Sequence, residues 1–260
     1  MRACIFAGVL GALAMASPAI AADVVAPMAP EAVPIAAGQW TFTIAPYFWA
    51  ARISGDVAQF GAPEVHINES FGDILKDLDF AGMAIGEARN DRFSLFGDVI
   101  YAKISSDAAT PRGIVAETVN LTTSTFIGTA GAGYSILKSD KGNLDVVAAA
   151  RVWSVDTELS FDGGLLNGLG VSDSDTWVDA LGGVRGVFNI TPKLYLTGWA
   201  LVGAGGADID WDVAGGLGYH FNDRWSAILG YRALGVDYQN DDFVYNIVEQ
   251  GPILGVAIHF

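Results

Sequence analysis

The chain has 260 residues, of which 29 are acidic and 14 are lysine or arginine, so its formal net charge is −15. Binding of nucleic acid depends on clustered basic side chains, and this balance therefore argues against a nucleic-acid partner. Hydrophobic residues nevertheless make up 52% of the chain, which is unusual for an acidic soluble protein. The combination indicates that part of the apolar surface faces lipid.

The first residues have the order of a secretory signal peptide. Arg2 precedes an apolar run over residues 3–16, and a small-residue stretch follows at 19–22. The apolar run is shorter than the roughly 20 residues that a membrane-spanning helix needs, which favours a cleaved signal over residues 1–21 rather than an anchor helix. Cys4, the only cysteine, lies within this signal. The mature chain is therefore predicted to have neither a disulfide nor a thiolate metal site.

Residues 22–39 contain Pro27, Pro30 and Pro34 among alanine and valine and show no period. This composition predicts a flexible periplasmic lead-in. The remaining residues, 40–260, are predicted to form a single outer-membrane β-barrel domain.

From residue 40 onward, apolar and polar residues alternate in runs separated by turn signals, which is the pattern of half-buried β-strands. Beyond the signal peptide no apolar stretch approaches about 18 residues without a charge or a breaker, so membrane-spanning helices are excluded. The predicted fold class is all-β, an antiparallel up-and-down transmembrane β-barrel of about ten strands. Merging the weak region 193–221 would give eight strands. The predicted strands are 40–54, 78–89, 92–105, 117–137, 143–159, 174–190, 193–206, 209–221, 224–238 and 243–260.

Separators of two kinds divide these strands. Outer-membrane barrels have short periplasmic turns and longer outer loops, so the tight separators are predicted to face the periplasm. Within the first long separator, residues 71–78 have apolar positions at helical spacing, which predicts one or two helical turns. The tight separators are 90–91, 139–143, 191–192 and 222–223, and the long polar ones are 55–77, 106–116 and 160–173.

The last predicted strand alternates strictly. One of its faces carries Pro252, Leu254, Val256, Ile258 and Phe260, which suits contact with lipid. An aromatic residue that ends such a strand resembles the signal by which the barrel-assembly machinery recognises its clients. The expected partners are this machinery, through the strand that ends at Phe260, and outer-membrane lipid and lipopolysaccharide.

Alternation elsewhere predicts outward side chains on the first and ninth strands. They are Phe42, Ile44 and Phe48 on the first, and Trp225, Ala227, Leu229 and Tyr231 on the ninth. Aromatic residues near strand ends are expected to form girdles at the two membrane interfaces. The candidates are Trp40, Tyr195, Trp211, Tyr219, Phe221 and Trp225.

Charged residues occur on the predicted inner faces of several strands. A buried charge without a partner is costly, so these acids and arginines are expected to pair as a network across a largely filled interior. A narrow selective pore and a site for a small anionic ligand are the alternatives. The predicted network consists of Glu87, Arg89, Asp98, Arg151, Asp179, Arg185, Arg232 and Glu249.

Catalytic chemistry finds little support in the sequence. His66, His220 and His259 are the three histidines; the last two are expected near the periplasmic end, and His66 lies in the first loop with no nucleophile placed beside it. No G-x-S-x-G motif occurs, and three scattered histidines do not form a metal cluster. No catalytic residue, metal or cofactor is predicted.

Acidic residues also occur in the predicted loops. They could bridge divalent cations to lipopolysaccharide phosphates, but their spacing matches no EF-hand loop, which favours a role in surface solubility. They include Asp173, Asp175, Asp208, Asp210, Asp237, Asp241 and Asp242.

The C-terminal half contains runs that resemble a known family. Through these runs, residues 150–260 are similar to a broad family of uncharacterised proteobacterial outer-membrane β-barrel proteins, of the small OmpA-like or porin-like kind. The N-terminal half is similar to the same family by pattern alone. The resemblance implies a barrel in the bacterial outer membrane, with Asp179, Arg185 and Arg232 as partners in the lumen. One departure is the apolar stretch 199–205, which argues against a fully polar channel. The runs are Trp177-Val178-Asp179, Gly183-Val184-Arg185, Gly218-Tyr219-His220-Phe221-Asn222-Asp223-Arg224-Trp225, Gly230-Tyr231-Arg232, Asp237-Tyr238 and Gly251-Pro252.

Three functions are compatible with these features. The favoured one is a non-enzymatic outer-membrane barrel with a structural role in the envelope or a narrow pore. The second is an enzyme that modifies lipid A or lipopolysaccharide, because some small outer-membrane barrels act on that lipid. The third is a barrel whose first loop forms a surface for ligand binding or adhesion.

Overall fold

The computed structural model describes residues 40–110, 116–240 and 243–260. The predicted signal peptide and periplasmic lead-in, residues 1–39, lie outside the described residues. The elements are β1 (Thr41–Trp49), β2 (Arg52–Ala58), β3 (Val65–Glu69), α1 (Phe71–Asp77), β4 (Leu78–Asn90), β5 (Phe93–Ala109), β6 (Thr118–Ser139), β7 (Gly142–Asp162), a 3-10 turn (Gly164–Leu166), β8 (Gly170–Asn189), β9 (Leu194–Gly205), β10 (Ile209–His220), β11 (Trp225–Asn240) and β12 (Phe243–His259).

Within the described residues, ten strands form the barrel wall, and each pairs with the next in the order β1, β4, β5, β6, β7, β8, β9, β10, β11, β12. β12 pairs back with β1, with Thr43 opposite His259 and Trp49 opposite Ile253, so the sheet is closed. A closed sheet leaves no edge of unpaired backbone groups, which is the condition for crossing a bilayer with strands. The predicted antiparallel up-and-down barrel is confirmed.

The region 193–221 forms two strands, not one. β9 and β10 pair along their length, with Leu194 opposite Tyr219 and Gly203 opposite Asp210. The short connection 206–208 closes this hairpin. The count along the described chain is therefore ten strands in the wall, and the alternative of eight is wrong.

Tight turns join β4 to β5, β6 to β7, β8 to β9 and β10 to β11 at the predicted positions. In the first of them Asp91 has a φ of 51°, a conformation that aspartate tolerates better than most residues. Lys138 donates a hydrogen bond to Asp91 at 2.6 Å, and this bond lowers the pKa of the Asp91 carboxyl below its ordinary value. Successive strands run in opposite directions, so all four turns lie at one end of the barrel. We call it the tight-turn end and the opposite one the long-loop end.

The first long loop is more structured than predicted. Residues 55–77 were expected to form a polar loop with some helix, but they contain most of a hairpin, β2–β3, whose first strand continues along β12 beyond the end of β1. The sequence does not indicate this hairpin because Gly55 interrupts the apolar face of its first strand. The helical turns expected at 71–78 are confirmed as α1, which has Ser70 as its N-cap. Among the described residues, no helix combines the length and the apolar character needed to cross a bilayer.

Large apolar side chains cover the outside of the wall. Phe42, Ile44, Leu229, Leu254 and Val256 are all exposed on this surface. A soluble protein rarely exposes a contiguous apolar area of this kind, whereas a barrel in a bilayer requires one. The predicted outward faces of the first, ninth and last wall strands are confirmed.

The predicted girdle contains one error. Tyr195 is only 5% exposed, so it does not face the membrane. Its ring lies over Gly218 on the inside of the wall, where a Cβ would come within 2.0 Å of the ring. The absent side chain of Gly218 therefore makes room for Tyr195 in the interior. The other candidates are at least partly exposed: Trp40, Trp211, Tyr219, Phe221 and Trp225.

Leu229→Arg is expected to lower the free energy of unfolding in lipid by about 2–4 kcal/mol, because a guanidinium near the bilayer midplane loses its hydration. Leu229 is the fifth residue of β11 and is 63% exposed on the outer surface. Urea unfolding of the protein refolded into vesicles measures the loss. The matched control is Ser172→Arg, at an exposed position near the long-loop end of β8. Equal losses in the two variants would contradict a lipid-facing position for Leu229.

Candidate functional site

The barrel interior is divided into three layers along its axis. An aromatic cluster lies toward the long-loop end, a buried ion-pair network lies near the centre, and a cavity lies toward the tight-turn end. The inward residues of each strand alternate with the outward apolar ones, so the same alternation that covers the wall with apolar groups also builds these layers.

The aromatic cluster consists of stacked rings from four strands. Trp177 stacks on Tyr238 with ring centroids 4.0 Å apart and on Trp153 with centroids 5.7 Å apart. Tyr245 meets both tryptophans edge-on. Both tryptophans are buried, so their rings are withdrawn from solvent.

Two arginines organise the central network. Arg151 pairs with Asp210 at 2.6 Å and with Asp212 at 2.7 Å. Arg232 pairs with the same Asp212 at 2.7 Å and with Asp98 at 2.7 Å. Neither arginine is more than 1% exposed. The shared Asp212 joins side chains from β5, β7, β10 and β11 into one network across the lumen.

Neighbouring hydroxyl and indole groups satisfy the remaining oxygens of this network. The Tyr47 hydroxyl accepts a hydrogen bond from Arg232 at 2.8 Å and donates one to Asp98 at 2.9 Å. The indole N–H groups of Trp153 and Trp199 donate to the two acids of β10, each at 2.9 Å. Buried ions that are both paired and hydrogen-bonded are held in fixed positions. The network therefore connects opposite sides of the barrel wall rigidly.

Three of the predicted inner charges, Asp98, Arg151 and Arg232, meet in this network. Asp210 and Asp212 complete the network, and neither is among the inner charges that the sequence predicts. The prediction that Asp210 belongs to a solvated acidic loop is wrong, because Asp210 is fully buried inside the barrel. The alternation of β10 is the signal that identifies Asp210 and Asp212, because it places both side chains on the inner face.

A second charge cluster lies closer to the tight-turn end. Arg89 pairs with Glu87 at 2.9 Å and also with the buried Asp145. Arg185 approaches Glu87 at 3.4 Å and places its guanidinium 4.2 Å from the centroid of the Phe96 ring. The structure thus brings together the predicted residues Glu87, Arg89 and Arg185. It adds Asp145, which precedes an apolar run in β7 and was not selected from the sequence.

Two further predicted inner charges stand apart. Asp179 is buried and accepts a hydrogen bond from the backbone N–H of Ala207 at 2.8 Å, while its Oδ2 has no hydrogen-bond partner among the described residues. Glu249 lies on the inner face of β12. Neither acid forms an ion pair within the described ranges, so Asp179 does not pair with Arg185 or Arg232.

The β2–β3 hairpin covers the long-loop end. At its tip the backbone N–H of Phe60 donates a hydrogen bond to Asp173 of β8 at 2.6 Å. β8 lies diametrically opposite β1 in the ring of wall strands found among the described residues, so the hairpin crosses the mouth of the barrel. Ile53, Val57 and Ile67 of the hairpin pack against the aromatic cluster. Asp173, expected to be a solvated loop acid, instead holds the hairpin tip.

Asp173→Ala is expected to raise the hydrogen-exchange rate of the Phe60 amide by about tenfold or more, because the amide loses a charged acceptor. Hydrogen exchange followed by mass spectrometry of the refolded protein measures this rate. Asp156→Ala, at an exposed position of β7, is the control and should leave the Phe60 amide unchanged. Unaltered exchange in the Asp173 variant would show that the tip is not held by this bond.

His220 and His259 meet at the tight-turn end, with ring centroids 5.6 Å apart. His259 Nε2 lies 3.1 Å from Ser226 Oγ, and its Nδ1 lies 3.1 Å from Thr43 Oγ1. Ser226 is fully buried and also bonds to the Tyr195 hydroxyl at 3.0 Å. A catalytic serine must be accessible, and its histidine is normally oriented by a carboxylate. Here Ser226 is inaccessible and a threonine hydroxyl stands in the place of the acid, so the group does not have hydrolase geometry.

His66 lies apart from this pair. Its Nδ1 is 2.8 Å from Asp56, and both residues are on the exposed part of the β2–β3 hairpin. In the segments that the structure describes, no group of three or more histidine, cysteine, aspartate or glutamate side chains is arranged to hold a metal ion.

A cavity of about 210 Å³ lies between the central network and the tight-turn end. Arg232 and Tyr47 lie at its inner end, Arg185 and Glu87 are on its side, and His220 and His259 lie at its outer end. The rest of the lining is mainly apolar and includes Ile85, Val187, Ala214, Ile228, Ile253 and Ala257.

No protein-family model matches this chain, and no curated protein matches it in sequence. Among solved structures, the outer membrane protease OmpT from Escherichia coli is similar with a TM-score of 0.47 and 10% identity, over 85% of this chain and 96% of OmpT. The attachment invasion locus protein Ail of Yersinia pestis has a TM-score of 0.37 and 12% identity, over 86% of this chain and 99% of Ail. Neisserial surface protein A has a TM-score of 0.34 and 10% identity, over 85% of this chain and 97% of that protein. Membership of the particular family indicated by residues 150–260 stays a prediction.

Proposed function

We propose that this chain is a bacterial outer-membrane protein with a structural role in the envelope and a closed lumen that does not conduct. The observation that carries the proposal is the central network of Asp98, Arg151, Asp210, Asp212 and Arg232, which is paired and buried. Charges that line an open pore stay hydrated, whereas these are withdrawn from water and paired with one another. The aromatic cluster and the β2–β3 hairpin support the proposal, because they fill the axis toward the long-loop end.

Liposome swelling tests the closed lumen. Vesicles that contain the refolded protein are expected to swell in isotonic arabinose no faster than empty vesicles. A general porin reconstituted at the same protein-to-lipid ratio provides the positive control. Swelling well above the empty vesicles would support the narrow-pore alternative.

The proposed role is not enzymatic. The inaccessibility of Ser226 beside His259 supports this part of the proposal. Mass spectrometry of lipid A from a deletion strain should give the same species as the parent strain. A mass difference that disappears on complementation would replace the structural role with a lipid-A-modifying activity.

We further propose that residues 1–21 direct export, that the tight-turn end faces the periplasm, and that the barrel-assembly machinery recognises β12. Phe260 lies at the seam of the barrel, where its backbone N–H donates to the carbonyl of Phe42 at 2.8 Å next to the β1–β12 pairing. Outer-membrane lipid and lipopolysaccharide would contact the apolar wall. Membrane fractionation of cells that express the full chain tests this location, and recovery in the inner membrane or the soluble fraction would contradict it.

A further inference from the structure

The cavity near the tight-turn end has the size of a small aromatic molecule. It measures about 210 Å³, and an engineered apolar cavity of about 150 Å³ in another protein binds benzene. The space exists because several inward positions carry small residues, among them Ala214, Gly216 and Ala257. A single ring with one short substituent would therefore fit without displacing the wall.

The lining offers both apolar and aromatic contacts for such a ring. Ile85, Ile228 and Ile253 contribute aliphatic side chains to the lining, and Tyr47 and Trp199 contribute aromatic ones. Ligand pockets usually combine a mostly apolar lining with a few fixed polar groups that orient the ligand. The question is then which polar group of this cavity has donors or acceptors to spare.

Arg185 has unused donors. Its guanidinium carries several N–H groups, yet its ion pair among the described residues is a 3.4 Å approach to Glu87, and its other contact is the Phe96 ring. Arg232 lies at the inner end of the same cavity, but its N–H donors are already used. Asp212 and other network partners accept hydrogen bonds from it at normal distances.

Glu87 does not saturate Arg185, because Glu87 is already bound by another arginine. Arg89 Nε lies 2.9 Å from Glu87 Oε1. Arg185 can therefore direct its remaining donors into the cavity. A planar guanidinium binds a carboxylate through two parallel N–H···O bonds, which makes a carboxylate the best match for this group.

We propose that this cavity binds a monocyclic aromatic carboxylate, with the ring in the apolar lining and the carboxylate on Arg185. The site is independent of the closed lumen, because a ligand can occupy this cavity whether or not solutes cross the barrel.

Isothermal titration calorimetry of the full refolded chain with benzoate tests the proposal, and benzyl alcohol serves as the uncharged ligand of similar shape. Benzoate is expected to bind the unmodified protein at least about tenfold more tightly than benzyl alcohol, because it gains a charged hydrogen-bonded pair. Arg185→Gln is expected to remove this preference while leaving benzyl alcohol within about twofold of its original affinity.

Two substitutions test the location. Ala214→Leu places a larger side chain in the cavity and is expected to abolish binding of both compounds. Val213→Leu is the matched control, because this neighbour is exposed on the outer surface and both affinities should be unchanged. Heat-modifiable migration of each variant shows whether the barrel has folded.

Equal affinity of the unmodified protein for benzoate and benzyl alcohol would overturn the proposal without any variant. So would a folded Arg185→Gln protein that keeps the preference for benzoate, or a folded Ala214→Leu protein that binds benzoate as before.

Discussion

Arg232→Met is expected to lower the free energy of unfolding by about 3–5 kcal/mol, because removing one member of a buried ion-pair network leaves a buried charge without its partner. In the native protein, Arg232 pairs with Asp98 and Asp212 and donates a hydrogen bond to Tyr47. Methionine has a similar length and would fill much of the same volume. The loss therefore reports Asp98, which keeps no cationic partner, and Asp212, which keeps Arg151 alone, and not a large cavity.

Urea unfolding in vesicles, followed by tryptophan fluorescence, measures this loss. Arg224→Met is the control, because Arg224 lies in the exposed turn between β10 and β11, where a substitution should change stability by no more than about 0.5 kcal/mol. If Arg232→Met unfolds at the same urea concentration as the control, the central network does not stabilise the barrel as its geometry implies.

Trp153→Ala is expected to cost about 3–5 kcal/mol, the range for replacing a large buried aromatic residue by alanine. Trp153 lies between two layers of the interior. Its ring stacks on Trp177, and its indole N–H donates a hydrogen bond to Asp210. The substitution therefore opens a cavity in the aromatic cluster and also leaves one acid of the central network short of a donor.

The same unfolding assay tests this prediction, with Trp40→Ala as the control. Trp40 is exposed at the start of the barrel, and its replacement creates no internal cavity. The difference between the two variants isolates the contribution of the buried ring. A loss for Trp153→Ala no greater than that for Trp40→Ala would mean that the aromatic cluster is loosely packed and does not close the axis.

The barrel wall could be predicted from the sequence because its determinants are local. Period-two alternation assigns each residue to the inner or the outer face, and tight turns such as Asn90-Asp91 mark where strands reverse. This alternation predicts the inward positions of Asp98, Arg151 and Arg232. In β10 it also predicts inward positions for Asp210 and Asp212, but the acidic composition around residue 208 favours a loop.

Other features depend on contacts between residues that are distant in the chain. The pairing of Arg151 with β10 and of Arg232 with both β5 and β10 is set by the register around the barrel, which a single sequence does not specify. The β2–β3 hairpin has the same origin. Its position over the barrel mouth depends on its tip bonding to Asp173, more than a hundred residues away.

Tyr195 shows how composition can mislead. An aromatic residue near a strand end suits an interfacial girdle, yet here the ring is buried over Gly218. In β9 the alternation of inward and outward positions, and not the residue type, determines which way the ring points. Glycine on the neighbouring strand is the feature that permits an inward ring at this position.

Single-channel recording in planar lipid bilayers tests the closed lumen most directly. The central network and the aromatic cluster together predict that the refolded full-length chain inserts without producing discrete conductance steps in 1 M salt. Heat-modifiable migration of the same preparation establishes that folded barrels are present. Reproducible steps of uniform size from that preparation would mean that ions cross the barrel and would contradict the account.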